Sequence, residues 1–160
     1  ELKLMFNINY PFFSSLSKYM NMHFDNFCNY IIENHLKNKS NSFVVEIGSN
    51  DGIMLKHFKQ KGYKHLGVEP SENVAEISRK YGIETITGFF DEKLVDQIID
   101  KYGKADAIIS ANCMCHIPNI NSVMKGVSKL LKNTAHYALR NQHGNVSFMK
   151  ATEGNIPLNP

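Results

Sequence analysis

The sequence contains no tryptophan, three cysteines, five prolines and no run of five like charges among its 160 residues. Each shortage removes a class of protein. Three cysteines without Cys-x-x-Cys spacing make neither a disulfide framework nor a zinc site, and an odd count fits a reducing compartment, so a cytoplasmic location is expected. No apolar stretch approaches the ~18 residues of a membrane helix, and the first residues lack the basic-then-apolar order of a signal peptide. No membrane partner is expected. Eighteen basic against fifteen acidic side chains leave a net charge of +3 spread along the chain, too mild a balance for a nucleic-acid surface. The chain begins at Glu1 rather than methionine, which reads as a fragment or a processed product.

What is present is an ordinary globular composition, 42% hydrophobic and 21% charged, on a length suited to one domain. Tyr10-Pro11-Phe12-Phe13 reads as extended, because proline disfavours helical geometry in the residue before it. From a cap at Ser14 or Ser15, residues Leu16, Tyr19, Met20, Phe24, Phe27, Ile31 and Leu36 draw one rough packing stripe along a helix that Asn38 to Ser42 ends. The pattern then changes. Apolar runs at 43–47, 65–68, 83–87 and 105–111 read as strands, and between and after them helices are expected over 53–60, 71–81, 91–102 and 121–131. Ser71 and Asp91 are the expected caps, with Gly82 and Gly103 the stops.

This alternation with short connections predicts an α/β fold: a doubly wound, mostly parallel sheet with helices on both faces. Residues 1–40 form the lead-in, 41–140 the core and 141–160 an irregular tail. His136 to Leu139 is readable as a fifth strand, but the C-terminal strands look truncated, which leaves an open sheet edge able to self-associate. Right-handed crossovers bring the loops at Gly48, Glu69, Gly88 and Asn112 to one edge, where ligands of open α/β sheets bind.

The strongest chemical feature is Val44-Val45-Glu46-Ile47-Gly48-Ser49-Asn50-Asp51-Gly52. A strand, a glycine turn and a helix bring backbone amides close to a ligand. A dinucleotide fingerprint needs a glycine where this chain has Asn50, which disfavours pyrophosphate. Acidic Glu46 and Asp51 suit a cationic amino group instead. Glu69 ends the second strand, 21 residues after Gly48, where a carboxylate accepts hydrogen bonds from both ribose hydroxyls of an adenosine.

The runs VVEIGSNDGIML, LGVEPSENVAE and ANCMCHIPNI closely resemble S-adenosylmethionine-dependent C-methyltransferases of nucleotide-linked deoxysugars. MFNINYPFFSSLSKYM resembles the segment leading into the core of that family. The likeness covers residues 4 to 132. It implies a Rossmann-like class I methyltransferase fold, S-adenosyl-L-methionine as cofactor and a nucleotide-sugar substrate. By that likeness Glu46, Gly48, Asn50 and Asp51 line the methionine part, Glu69 holds the ribose, Phe89 lies near the adenine, and Asn112 with His116 lines the floor. His116 and Tyr10 are the catalytic candidates. His116 reads equally as a proton shuttle or a loop histidine, and Tyr10 as an acceptor contact or a core aromatic. Cys113, Cys115 and His116 lack a fourth ligand, so no metal is expected.

The chain departs from the family after Asn133, where an apolar strand ending in an acidic residue and proline gives way to Thr134-Ala135-His136-Tyr137-Ala138-Leu139-Arg140-Asn141. The family's downstream histidine base has no counterpart. The reading is therefore a cofactor-binding methyltransferase core, incomplete as an enzyme by itself. Two other classes stay open: a non-catalytic binding module, and a methyltransferase for another small molecule, a protein or a nucleic acid.

Overall fold

Val44 and Val45 are both fully buried, yet each packs into a different hydrophobic layer. Successive side chains of a strand point to opposite faces, so a strand buried throughout must be covered on both sides. In the computed structural model, which describes residues 2–36, 41–140 and 146–150, that covering is done by helices. The chain runs α1 (Leu2–Met5), a 3-10 turn (Ser14–Leu16), α2 (Lys18–His35), β1 (Phe43–Ile47), α3 (Leu55–Gln60), β2 (Lys64–Glu69) and α4 (Glu72–Lys80). It continues through β3 (Thr85–Thr87), α5 (Glu92–Tyr102), β4 (Ala105–Ala111), a second 3-10 turn (Met114–His116), α6 (Ile120–Leu130), β5 (Leu131–Arg140) and β6 (Val146–Lys150).

The strand order is β3-β2-β1-β4-β5-β6. The first five strands are parallel and β6 is antiparallel to β5. On one face Val45, Ile108 and Tyr137 meet Val95 and Ile98 of α5 and Val123, Val127 and Leu130 of α6. On the other, Val44, Ile109 and Ala138 meet Phe24, Phe27, Cys28 and Ile31 of α2 and Leu55 and Phe58 of α3. The doubly wound α/β reading therefore holds. Strand order reverses between β1 and β4, and the loops after these two strands leave in opposite directions, opening a crevice at the sheet's C-terminal edge.

Several boundaries differ from the sequence expectations, each for a physical reason. The lead-in helix is capped by Ser17, whose hydroxyl accepts from the Met20 N–H at 3.2 Å. Ser14 and Ser15 do not cap it, because their own N–H groups are bound to Asn50 and Asp51. The helix consequently starts later, and Leu16 and Tyr19 of the expected stripe are exposed. It ends at His35 with Leu36 as its C-cap; residues 37–40 of the expected stop lie outside the described residues. Gly52 takes part in a turn, so α3 begins two residues later than expected. Asp91 caps α5 as expected, accepting from Leu94 N–H at 2.8 Å, and Gly103 closes it.

The largest correction concerns the C-terminal part. β5 occupies Leu131–Arg140, and residues 146–150 of the expected irregular tail form β6, which lies along one side of β5. The rest of that tail, 141–145 and 151–160, lies outside the described residues. Tyr137 is buried completely and its hydroxyl lies 2.6 Å from Ser110 Oγ of β4. Among the described residues, no helix is long and apolar enough to cross a membrane.

Phe58 has no exposed surface. Phe58→Ala is expected to cost about 3–5 kcal/mol through lost burial and the cavity left behind, seen as a lower urea midpoint at unchanged slope. Leu16→Ala, at a residue 84% exposed, should stay within ~0.5 kcal/mol of the parent.

Candidate functional site

β1 ends at Ile47 and the chain turns at Gly48, whose φ of +70° favours a residue without Cβ. The N–H groups of Gly48 and Ser49 both donate to the Val68 carbonyl, at 2.8 and 3.2 Å, which fastens the turn to β2. A Cβ at Gly48 would lie 2.7 Å from the Cβ of Cys113. The loops after β1 and β4 are therefore in direct contact. Cys113 donates its thiol to the Ile47 carbonyl at 3.2 Å. Burial, with help from Glu46 and Glu69, pushes that thiol up to about 12, so it packs rather than reacts.

A cavity of about 480 Å³ opens over the C-terminal ends of β1, β2 and β4. Of the nine residues singled out in the sequence, Tyr10, Glu46, Gly48, Asn50, Glu69, Phe89, Asn112 and His116 line it. Asp51 is not in its wall. Glu46 is buried, and Oε2 of its carboxyl has no hydrogen-bond partner among the described residues. Burial raises its pKa well above the usual carboxylate range, and Asp51 and Glu69 push the same way. The Glu69 carboxyl is also raised by burial, against which the N–H groups of Ser71 at 2.8 Å and Asn50 at 2.9 Å hold it down. A carboxylate offers about four lone-pair positions, so two remain for hydroxyl donors.

Among the described residues no lysine or arginine stands in the wall itself. A ligand that brings positive charge and hydroxyl donors meets its polar atoms, and one with a large apolar body meets the remaining wall. Tyr10 stands 5.3 Å from the Phe6 ring, and His116 presents its ring edge-on to Phe6 at 6.2 Å. The Tyr10 phenol is raised by burial and then by Glu69, which keeps it protonated as a donor. His116 lies exposed at the cavity rim.

The sequence expects Asn50 and Asp51 to line the methionine part; Asn50 stands in the cavity wall and Asp51 does not, and both side chains bind the lead-in segment. Asn50 Oδ1 accepts from Ser14 N–H at 2.9 Å and its Nδ2 donates to the Phe12 carbonyl at 3.1 Å. Asp51 Oδ2 accepts from Ser15 N–H at 2.9 Å. Farther along, Asn73 Nδ2 donates to the Tyr10 carbonyl at 2.8 Å. Together these bonds strap residues 10–15 across the cavity and add Phe6, Phe12 and Ser14 to its wall. No local signal marks those three, because the contacts that place them bridge 36 or more positions in the chain.

Residues 21–152 match the family model described as a methyltransferase domain. The chain belongs to that family. It is 40% identical over 88 residues to the C-methyltransferase NovU of Streptomyces niveus, covering 55% of this chain and 21% of that protein. It is 22% identical over 114 residues to the ubiquinone biosynthesis O-methyltransferase of Vibrio parahaemolyticus, covering 69% and 48%. The chain thus spans between a fifth and half of the length of these relatives. A solved S-adenosylmethionine-dependent methyltransferase from Archaeoglobus fulgidus superposes with a TM-score of 0.63 at 15% identity, covering 76% of this chain and 52% of that one. This likeness fixes the fold as that of a class I methyltransferase.

The family's cofactor is S-adenosylmethionine, and the donor set fits it. The unpartnered Glu46 oxygen matches an ammonium, Glu69 has acceptors left for ribose hydroxyls, and the cavity volume lies within the usual range of ligand pockets. In the free protein, neutral Glu46 contributes stability that is fully present below its unfolded pKa and lost as pH rises through its raised folded value. A bound cation favours the ionised form and reverses that preference. The affinity for S-adenosylhomocysteine should therefore fall as pH drops through the raised Glu46 value, by at most about tenfold per pH unit. Glu46→Gln should bind more weakly and flatten that part of the profile. Calorimetry across pH, in buffers of different ionisation enthalpy, reads both the affinity and the proton released.

Proposed function

We propose that this chain is the cofactor-binding core of an S-adenosylmethionine-dependent C-methyltransferase, acting on a carbon beside the carbonyl of a nucleotide-linked keto-deoxysugar. The observation that carries the cofactor half is the buried, unpartnered carboxylate oxygen of Glu46 in the cavity wall. The acceptor half is supported by the GSNDG and CHIP runs and by the 40% identity to a C-methyltransferase over 88 residues.

On this reading Glu46 takes the ammonium, the Gly48 turn gives the backbone room beside the methionine part, Glu69 accepts from the ribose hydroxyls, and Phe89 covers the adenine. Asn50 acts through its backbone and through the strap it holds, and Asn112 forms floor. S-adenosylmethionine supplies an electrophilic methyl group on a sulfonium. An in-line displacement at that methyl needs little covalent help, so holding the acceptor carbon in line supplies most of the acceleration. His116 removes a proton from that carbon, and the electron pair left behind enters the enolate. The protonated Tyr10 phenol donates a hydrogen bond to the enolate oxygen. The new carbon–carbon bond forms as the carbon–sulfur bond breaks, and the sulfur keeps that electron pair as a neutral thioether.

Two measurements test this. Titration with S-adenosylhomocysteine should show micromolar binding that is lost in Glu69→Ala and in Gly48→Val. Incubation with methyl-13C-labelled cofactor and a nucleotide-linked 4-keto-deoxysugar, with the chain alone and within a full-length relative's context, should place the label on a carbon by NMR. Label on oxygen, nitrogen or a protein side chain would replace this acceptor with another class.

A further inference from the structure

Arg140 is the last residue of β5, so its side chain leaves the sheet at the same edge as the glycine turn. Its carbonyl accepts from Asn112 N–H at 3.0 Å, and its Nη1 donates to Asn112 Oδ1 at a long 3.4 Å. The guanidinium carbon lies 5.9 Å from the Phe24 ring centroid. Asn112 and Phe24 both line the cavity. Nε of the guanidinium is buried without a partner, and among the described residues no carboxylate pairs with Arg140.

That arrangement is costly. A guanidinium cannot shed its proton at ordinary pH, and burial works against its charge. Its Nε has given up water without a partner, and the rest of the half-buried guanidinium has one long hydrogen bond and the face of a phenyl ring, where a partly buried cation ordinarily finds an oxyanion. The forked N–H groups of arginine match the two oxygens of a carboxylate or phosphate. The cavity's own carboxylates, Glu46 and Glu69, stand on β1 and β2, whereas Arg140 stands at the β4–β5 end.

We propose that Arg140 is an oxyanion-binding residue at the β5 end of the cavity, taking a carboxylate or phosphate group of a bound ligand. Two ligands bring such a group. One is the cofactor, through its α-carboxylate; the other is an anionic acceptor, and that source rests on the nucleotide-sugar reading above.

Three probes separate the sources: S-adenosylhomocysteine; 5′-methylthioadenosine, which keeps the adenosine and thioether but lacks the amino-acid end; and inorganic pyrophosphate added to protein saturated with S-adenosylhomocysteine. Each is titrated into the parent chain, Arg140→Gln and Arg140→Lys. Arg140→Gln should bind methylthioadenosine as the parent does, which shows that the variant is folded with its adenosine site intact. It should lose about ten- to a hundredfold in affinity for one of the other two probes, and Arg140→Lys should recover part of that loss. A loss on S-adenosylhomocysteine assigns the oxyanion to the cofactor, and a loss on pyrophosphate assigns it to the acceptor side. Unchanged affinity for both in Arg140→Gln overturns the proposal. Should the glutamine variant bind none of the probes, the same comparison on the lysine variant decides, since it keeps the charge and loses the fork. A parent chain that binds neither adenosine probe contradicts the cofactor reading instead, and pyrophosphate titrated alone then tests Arg140.

Discussion

Glu46 lies on β1, which has parallel neighbours on both sides, and its Oε2 is buried without a hydrogen-bond donor among the described residues. An ionised carboxylate in that position costs several kcal/mol, by order of magnitude, unless a partner arrives. The surrounding structure offers none of its own: the neighbouring charges are Asp51 and Glu69, which repel it. The free protein therefore holds Glu46 toward its neutral form, and a cationic ligand is what makes the ionised form favourable. The polarity of the cavity, the charge of its ligand and its pH response all follow from that one buried group. β1 can carry it because the rest of the strand is apolar on both faces and packed between two helical layers.

The loop after β1 has a second task, which is to hold the lead-in segment. Asn50 and Asp51 take the N–H groups of Ser14 and Ser15, and Asn73 takes the Tyr10 carbonyl. These are exposed or half-buried bonds, each contributing about 0.5–1.5 kcal/mol net and more where Asp51 is ionised. With residues 12–15 so held, α2 starts only at Lys18, capped by Ser17, and Phe12, Leu16 and Tyr19 stay exposed. Apolar groups around the cavity mouth thus remain exposed because the backbone donors beside them are committed to the glycine loop. Cavity wall and loop are one unit, and Tyr10 owes its place in the wall to it.

β1 and β4 were legible to the residue, since each is a short, mostly apolar segment bounded by polar or glycine positions. α5 was equally clear, because Asp91 and Gly103 are local signals that make the bonds their chemistry suggests. β5 was not. α6 ends at Leu130 and β5 begins at Leu131 with no turn residue between them, and the polar Lys132 is accommodated by a distant ion pair with Asp106 at 2.7 Å. A strand start held by such contacts leaves no local trace. The site divides along the same line. Glu46, Gly48 and Glu69 stand in the cavity wall where the local strand-turn-helix pattern puts them, whereas Asp51 and Arg140 have surroundings fixed by residues far away in the chain. Asp51 reads as a lining residue from its place in the glycine turn, whereas the structure leaves it outside the cavity wall with its Oδ2 on Ser15 N–H.

Charge placement also divides the proposed labour within the cavity. Positive charge at sulfur falls as a methyl group leaves it, so a carboxylate close to the sulfonium stabilises the reactant more than the transition state and slows transfer. An ammonium keeps its charge throughout, and a carboxylate spent on it binds reactant and transition state alike. Glu46 and Glu69 are therefore useful only if they hold the unreactive parts of the cofactor, the ammonium and the ribose. The proposed reacting centre then belongs against the wall formed by Phe6, Tyr10 and His116, where aromatic rings attract a sulfonium more weakly than a carboxylate does and so hold back the methyl less. Tyr10 belongs to the strap, so its position in that wall depends on the Asn73 bond together with the Asn50 and Asp51 bonds that hold residues 12–15.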